Sequence, residues 1–138
     1  MRSAVVFLTL ILFALPLKAE PSAGAKAEIA SIITRQIDAF RRDDGIEAFG
    51  YASPDIQAKF GTPAGFMQMV IEGYFPVYRP KSVRFLDLVE HEGSLIQRVL
   101  IEGPDDGAYL ALYPMIQMPD GSWRINGCYL LRVPGQGA

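Results

Sequence analysis

The sequence predicts an α+β domain in which N-terminal helices pack on a curved, four-stranded antiparallel sheet. Apolar residues recur with helical spacing over residues 25–73, and from Ser82 onward they alternate with a period of two residues. Helices that come first and strands that follow are typical of the α+β class. Residues 109–131 are the predicted centre of the sheet, because two apolar runs flank a sequence that favours a tight turn, Pro119-Asp120-Gly121-Ser122.

The beginning of the chain has the anatomy of a secretory signal peptide. Arg2 gives a short basic start, residues 4–15 are almost entirely apolar, and Ala19 is a small residue suited to cleavage. A membrane span needs about 20 apolar residues, and this run is shorter. We therefore predict a signal peptide at residues 1–19, a single domain at residues 20–138, and an exported protein, periplasmic or secreted, with no stable membrane span after cleavage.

Charge and cysteine content exclude several classes of protein. The chain holds 13 basic residues, of which Arg2 and Lys18 belong to the predicted leader, so 11 remain in the domain against 15 acidic residues, a net charge of −4. Because these basic residues are scattered, the sequence predicts no nucleic-acid partner. Cys128 is the only cysteine, which excludes an internal disulfide, and its apolar neighbours predict a buried, inert thiol.

Four helices are predicted before the sheet. The first, at residues 25–42, carries an apolar stripe on one face that consists of Ile29, Ile32, Ile33, Ile37 and Phe40. Three shorter helices are predicted at residues 45–52, 54–61 and 63–73, each preceded by a residue that can cap it, namely Asp44, Ser53 and Thr62. Pro76 and Pro80 predict that the connector to the sheet, residues 74–80, is extended.

Four strands joined by short loops then predict an antiparallel meander, at residues 82–90, 95–102, 109–118 and 123–131. In the last strand Trp123 and Ile125 share a face, whereas Cys128 and Leu130 return to that face only if an extra residue intervenes. We expect a β-bulge at Asn126-Gly127 for this reason. Trp123 is predicted to be buried against the apolar stripe of the first helix.

This succession of one long helix, short helices and a curved meander that ends in Asp-Gly-Ser-Trp-Arg-Ile resembles the nuclear-transport-factor-2-like cone fold. Within that superfamily, the sequence resembles an uncharacterised exported bacterial family, the domain of unknown function 4864. The matching pieces cover most of the predicted domain: Asp43-Asp44, residues 52–57, residues 60–63, residues 73–80 and residues 121–128. That family carries no established activity, so the resemblance implies a fold but no site residues.

The sequence predicts no metal site and no cofactor. His91 is the only histidine and lies in a charged turn, so His91 and Cys128 together supply too few ligands for zinc. Asp105-Asp106 lacks the spacing of a calcium loop, and the chain has no glycine-rich phosphate or dinucleotide motif. Ser53 is explained as a helix cap rather than as a nucleophile.

Two hypotheses for the function stay open, and the first is a non-enzymatic module that binds a ligand or a protein. Its candidate pocket residues combine apolar bodies with polar tips: Tyr74, Tyr78, Arg79, Tyr113 and Trp123. The expected partners are a small apolar or anionic ligand or an envelope protein, and a homodimer formed through the sheet is a further expectation. Tyr78 and Arg79 would border the mouth of the cone, unless Phe75, Val77 and Tyr78 fill it.

The second hypothesis is a small-molecule acid–base enzyme of the isomerase or hydrolase type, which needs a carboxylate inside the cone. Asp87 is the first candidate, because the period of two places it in register with Val83, Phe85 and Val89. Asp38 on the first helix is the second candidate. A carboxylate that points into the cone is therefore the feature that distinguishes the two hypotheses.

Overall fold

A computed structural model describes residues 3–6, 9–11 and 21–134 of the chain. It has the predicted α+β architecture, with helices first and a curved antiparallel sheet after them. The helices are α1 (Ala23–Arg41), α2 (Gly45–Gly50), α3 (Pro54–Phe60), α4 (Pro63–Gly73) and α5 (Phe75–Tyr78). The strands are β1 (Ser82–His91), β2 (Ser94–Glu102), β3 (Ala108–Gln117), β4 (Trp123–Ile125) and β5 (Tyr129–Arg132).

The described part of the predicted leader forms no regular structure. Residues 3–6 and 9–11 lie in no helix or strand. The apolar side chains of Val5, Val6, Leu10 and Ile11 are all exposed. The predicted cleavage position at Ala19 lies outside the described residues. Within the described ranges, no helix is both long enough and apolar enough to cross a membrane.

α1 provides the main apolar surface of the helical layer. It begins at Ala23, slightly before the predicted start, because the hydroxyl of Ser22 caps it by accepting from the backbone N–H of Ala25 at 3.1 Å. The predicted stripe is confirmed, with four of its members at most 2% exposed: Ile29, Ile33, Ile37 and Phe40. Gln36 lies on the same face and is also buried.

The three capping predictions are confirmed by hydrogen bonds. The side chains of Asp44, Ser53 and Thr62 accept from the backbone N–H groups three residues later, at 3.0, 3.3 and 3.1 Å. Each cap fixes the direction in which the chain enters the next helix. The short helices therefore follow one another without long loops, with α2 packed on α1 and α4, and α3 packed on α4.

The prediction of an extended connector at residues 74–80 is wrong, because this segment forms the one-turn helix α5. The backbone N–H groups of Val77 and Tyr78 donate to the carbonyl of Tyr74 at 2.9 and 3.1 Å. Pro76 is tolerated there because a proline in the first helical turn lacks only an N–H that would have no helical partner. Pro80 disfavours helical backbone at Arg79 and limits α5 to one turn.

Within residues 21–134 the sheet has five strands rather than the predicted four. β1 pairs with β2, β2 with β3, and both β4 and β5 pair with the remaining edge of β3, all antiparallel. The single last strand of the prediction is thus divided at residues 126–128. Ile125 lies opposite Met115 and Tyr129 lies opposite Leu112, so three residues of the last segment face two of β3. The predicted extra residue is confirmed.

The core lies between α1, α4 and the inner face of the sheet. The strands contribute side chains that are at most 5% exposed: Val99, Ile101, Ala111, Tyr113, Met115 and Ile125. Two backbone hydrogen bonds join the helical layer to β4, from Ser53 N to Ile125 O at 2.8 Å and from Ile125 N to Tyr51 O at 2.9 Å. The predicted burial of Trp123 is only partly observed. Trp123 is half-buried at the margin of the core, and Ile125 takes the fully buried position of β4.

Candidate functional site

A largely apolar cavity of about 200 Å³ lies between the helices and the inner face of the sheet. Its apolar wall consists of side chains from α1, α3, α4, α5 and β4, including Phe40, Phe60, Phe66, Val70, Val77 and Ile125. Phe66 is the centre of an aromatic group, with its ring centroid 6.2 Å from that of Phe40 and 6.1 Å from that of Phe60. These contacts hold α1, α3 and α4 together around the cavity.

Tyr113 contributes a buried hydroxyl group to the cavity wall. It lies on the inner face of β3 between Ala111 and Met115 and is 1% exposed. Among the buried side-chain polar atoms that the structure describes, its hydroxyl oxygen is the only one that no group meets in ordinary hydrogen-bond geometry. Burial, and then the charge of the neighbouring Cys128 thiol and a weak hydrogen bond to it, raise the pKa of Tyr113 well above its ordinary value. Because sulfur is a weak acceptor, this contact leaves the phenol without a strong partner. The phenol therefore stays protonated and can donate a hydrogen bond.

Cys128 lies on the cavity wall beside Tyr113, because the extra residue of the last segment turns it toward the inner face. The residue as a whole is half-buried. Desolvation raises the pKa of the Cys128 thiol to about 12, so the reactive thiolate is scarce at neutral pH. This environment supports the expectation of an inert thiol.

Two amide side chains complete the polar part of the wall. Gln36 is 4% exposed, and its Nε2 donates to the carbonyl of Ala48 at 3.1 Å. Asn126 accepts from the hydroxyl of Ser53 at 2.7 Å through its Oδ1. Each amide is thus held by one end, and its other end, Oε1 of Gln36 or Nδ2 of Asn126, takes no part in that bond. The wall therefore offers polar groups that stay neutral.

Lys59 is the one charged side chain on the cavity wall within residues 21–134. It is exposed, and its Nζ lies 5.5 Å from the centre of the Phe60 ring. The positive charge therefore lies at the solvent-facing rim. Among the described residues, the other polar groups of the wall are tyrosine phenols, a thiol and two amides, which carry no charge at neutral pH.

The structure separates the predicted pocket residues into two groups. Tyr113 and Tyr74 line the cavity, and burial, with smaller effects of Cys128 and Tyr129, raises the pKa of Tyr74. Tyr78, Arg79 and Trp123 do not line it.

Tyr78 and Arg79 instead form a cluster with Asp43, which we call the Asp43 cluster. The guanidinium Nη2 of Arg79 donates to both carboxylate oxygens of Asp43 at 3.1 Å, and Nη1 donates to the carbonyl of Phe40 at 2.6 Å. The Tyr78 hydroxyl donates to the same carboxylate, and the guanidinium carbon lies 3.8 Å from the centre of the Tyr78 ring. The cluster thereby fastens the end of α1 to α5.

The two carboxylate candidates lie at the surface in ion pairs. The placement of Asp87 in register with Val83 and Phe85 is wrong, because the β1–β2 pairing shifts register between Phe85 and Leu88. Asp87 is consequently 57% exposed and accepts from Arg98, which lowers the pKa of Asp87. Asp38 is 54% exposed and pairs with Arg41 at 3.4 Å. Neither carboxylate lies on the cavity wall.

Sequence reasoning missed most of the cavity wall, but three of its polar residues left a signal in the sequence. Gln36 interrupts the apolar stripe of α1, and a polar residue on a buried face needs a hydrogen-bond partner. Asn126 and Cys128 lie at the predicted bulge, and bulges redirect side chains near binding sites. The sequence does not show that these three positions face one space, because they converge only through long-range packing.

Comparison with known proteins agrees with this fold. The family model of the Domain of unknown function (DUF4864) matches residues 22–138. No curated protein matches the chain. A crystal structure of a protein of unknown function with a cystatin-like fold, from Nostoc punctiforme, is similar with a TM-score of 0.55 and 14% identity, over 86% of this chain and 98% of that chain. At this identity the likeness shows the fold alone.

Proposed function

Because the chain belongs to the DUF4864 family, whose description names no activity, we propose its function from the cavity. The protein is an exported, non-enzymatic module that binds a small, largely apolar molecule between its helices and its sheet. The observation that carries this proposal is the cavity of about 200 Å³, whose mostly apolar wall contains the unpartnered hydroxyl of Tyr113. A mostly apolar pocket with a few convergent polar groups is the usual form of a small-molecule site.

The size of the cavity limits the ligand. An engineered apolar cavity of about 150 Å³ holds benzene, whereas drug-sized ligands occupy roughly 300–1,000 Å³. The present cavity of about 200 Å³ therefore suits a single substituted ring or a short branched chain. The flanking rings of Phe40, Phe60 and Phe66 offer faces and edges against which such a ring can pack.

Binding is preferred to acid–base catalysis because of the chemistry of the wall. A general acid in an apolar pocket needs a carboxyl group with a raised pKa. Asp87, the first candidate, has a lowered pKa because Arg98 donates to it, and it lies at the surface. Tyr113 and Cys128, which do line the cavity, both have raised pKa values and stay protonated at neutral pH.

Export is proposed from the basic start, the apolar run and the small residue at position 19. Mass spectrometry of the protein isolated from its native envelope should give an N-terminus at or near Glu20. Recovery of intact Met1 from the cytosolic fraction would contradict this part of the proposal.

The binding proposal is tested by a screen of ring-sized molecules by NMR, with the methyl groups of Val70 and Val77 as reporters. Both residues line the cavity and are buried. Binders should shift these two methyl signals before those on the outer face of the sheet, such as Leu131. If every binder shifts other signals and leaves these unchanged, the cavity is not the site.

A pair of neighbouring substitutions on α4 supplies the matched control. Val70 is 4% exposed and lines the cavity, whereas Ile71 is 41% exposed and does not. Val70→Phe should place a ring in the cavity and abolish binding, and Ile71→Phe should leave binding unchanged. Circular dichroism checks that both variants fold. Equal affinities in the two folded variants would contradict the proposal.

A further inference from the structure

We propose that the ligand of this cavity is uncharged and carries a hydrogen-bond acceptor of the carbonyl class, which the hydroxyl group of Tyr113 binds. This inference rests on the proposed function and narrows the class of ligand. It follows from three features of the wall: the position of the buried hydroxyl donor of Tyr113, the absence of charge at depth in the described residues, and the location of Lys59.

The donor is fixed by the sheet. Tyr113 lies on the inner face of β3, opposite Gln97 of β2, and its neighbours on that face, Ala111 and Met115, are buried. Its hydroxyl group is the one buried side-chain polar atom in the described ranges that no group meets in ordinary hydrogen-bond geometry, and the Cys128 thiol beside it is only a weak acceptor. A buried donor of this kind gains most from a ligand that supplies an acceptor, because leaving it unpaired costs free energy.

The acceptor is neutral because, among the described residues, no cation lies beside Tyr113 to balance a negative charge. A carboxylate that leaves water for an apolar space needs a cation close by. The cation on this wall is Lys59, which lies at the exposed rim rather than beside Tyr113. The raised pKa values of Tyr113 and Cys128 show the same effect, since burial disfavours both anions.

Three probes of nearly the same shape distinguish the possibilities. Acetophenone carries a carbonyl oxygen, α-methylstyrene replaces that oxygen by a CH₂ group, and benzoate replaces the methyl group by a charged oxygen. Dissociation constants of all three are measured with the wild-type chain and with Tyr113→Phe. Because the two neutral probes differ in hydration, the quantity of interest is the change in their affinity ratio between the two proteins.

Tyr113→Phe should weaken acetophenone binding about tenfold, equivalent to about 1.4 kcal/mol, and should leave α-methylstyrene unchanged or slightly tighter. Tyr78→Phe is the matched control, because it removes the hydroxyl group of a half-buried tyrosine that does not line the cavity. It should change the affinity ratio by less than about twofold. Benzoate should bind at least about a hundredfold more weakly than acetophenone.

The infrared carbonyl stretch of bound acetophenone gives an independent readout on the wild-type chain. A hydrogen bond from Tyr113 should move the band to lower wavenumber than for acetophenone in an apolar solvent, and Tyr113→Phe should reverse the shift. If this stretch is unshifted in the wild-type complex, the inference fails even where the variant does not fold.

The remaining outcomes separate the inference from the function on which it rests. If all three probes fail to bind in the cavity, the proposed function fails for ring-sized ligands, and the inference fails with it. If both neutral probes bind there and Tyr113→Phe changes them equally, the binding function stands and the acceptor preference is overturned. If benzoate binds most tightly, the ligand is anionic and the neutral class is overturned.

Discussion

Tyr113 and Tyr78 place the same phenol group in two opposite environments. Tyr113 is 1% exposed, and no described residue meets its hydroxyl in ordinary hydrogen-bond geometry. Tyr78 is half-buried, donates to Asp43 and packs under the guanidinium of Arg79. Both phenol pKa values are raised, but burial raises that of Tyr113 whereas the hydrogen bond to Asp43 comes first for Tyr78.

The difference shows how to distinguish a structural polar group from one that is available to a ligand. The Tyr78 hydroxyl is used within the Asp43 cluster, which fastens α1 to α5. Tyr113 lines the cavity, and the group beside its hydroxyl is the Cys128 thiol, which is only a weak acceptor. Both side chains are aromatic, so the hydrogen-bond partner of the hydroxyl group decides whether the residue is structural or available to a ligand.

The largest expected effect concerns the thiol of Cys128, and it tests whether the cavity excludes water. With a pKa of about 12 instead of 9.0, Cys128 should hold about a thousandfold less thiolate than an ordinary cysteine at the same pH. Alkylation by iodoacetamide at pH 8 should be slower by a comparable factor. The control is the exposed cysteine of a Ser94→Cys, Cys128→Ala chain. Equal rates would mean that water reaches the cavity freely, and Tyr113 and Tyr78 would then not differ in solvation.

Truncation of the two tyrosines to alanine should lower the free energy of unfolding by unequal amounts. Tyr113→Ala empties a large buried site and should lower the free energy of unfolding by about 3–5 kcal/mol. Tyr78→Ala removes a half-buried ring and should cost less. Urea denaturation of both variants measures the difference. A larger loss for Tyr78→Ala would identify the Asp43 cluster, rather than the core around Tyr113, as the more important of the two regions for stability.

Removal of the hydroxyl group alone should change the free energy of unfolding in opposite directions at the two tyrosines. Tyr113→Phe removes a buried group that lacks a partner and should raise the free energy of unfolding by about 1 kcal/mol. Tyr78→Phe removes a hydrogen bond to a carboxylate and should lower it. Both changes are read from denaturation midpoints at neutral pH without ligand. A loss of stability in Tyr113→Phe would show that its hydroxyl already has a partner in solution.

Local signals in the sequence predicted most of the fold. Asp44, Ser53 and Thr62 cap the helices that follow them, and such caps depend on neighbours within three residues. The helix α5 was missed because four residues are too few to show a period, and two prolines favoured an extended chain. The division between β4 and β5 was anticipated only as a bulge at Asn126-Gly127.

The candidate site was predicted less completely, because it depends on contacts between distant residues. Tyr113 and Tyr74 were named as pocket residues and line the cavity. The partner that holds Tyr78 and Arg79 is Asp43, which lies 35 and 36 positions earlier in the chain. No local pattern reveals such a pairing. The prediction that Asp87 points to the same side as Val83 and Phe85 is wrong because a register shift inside β1 interrupts the period of two.

The smallest expected effect is the pH dependence of the Asp43 cluster. Hydrogen bonds from Tyr78 and then from Arg79 hold the pKa of Asp43 below its usual value. Tyr78→Phe should raise the pKa of Asp43. The remaining hydrogen bonds from Arg79 should still keep this pKa below the usual value of an aspartate. Carbon NMR titration of the side-chain carboxyl groups measures the shift. Glu47 is the internal control, because its pKa is lowered by Arg42 and Tyr51 instead.

The sign of the accompanying stability change follows from linkage. A carboxyl group with a lower pKa in the folded protein stabilises the fold above its unfolded pKa of about 4, and this contribution is lost as pH falls through the folded pKa. The wild-type chain and Tyr78→Phe should therefore differ in stability at neutral pH and converge in acid. An unchanged Asp43 pKa in Tyr78→Phe would mean that Arg79 alone holds the carboxylate. The Tyr78 hydroxyl would then be free for a ligand, and the distinction between the two tyrosines would no longer hold.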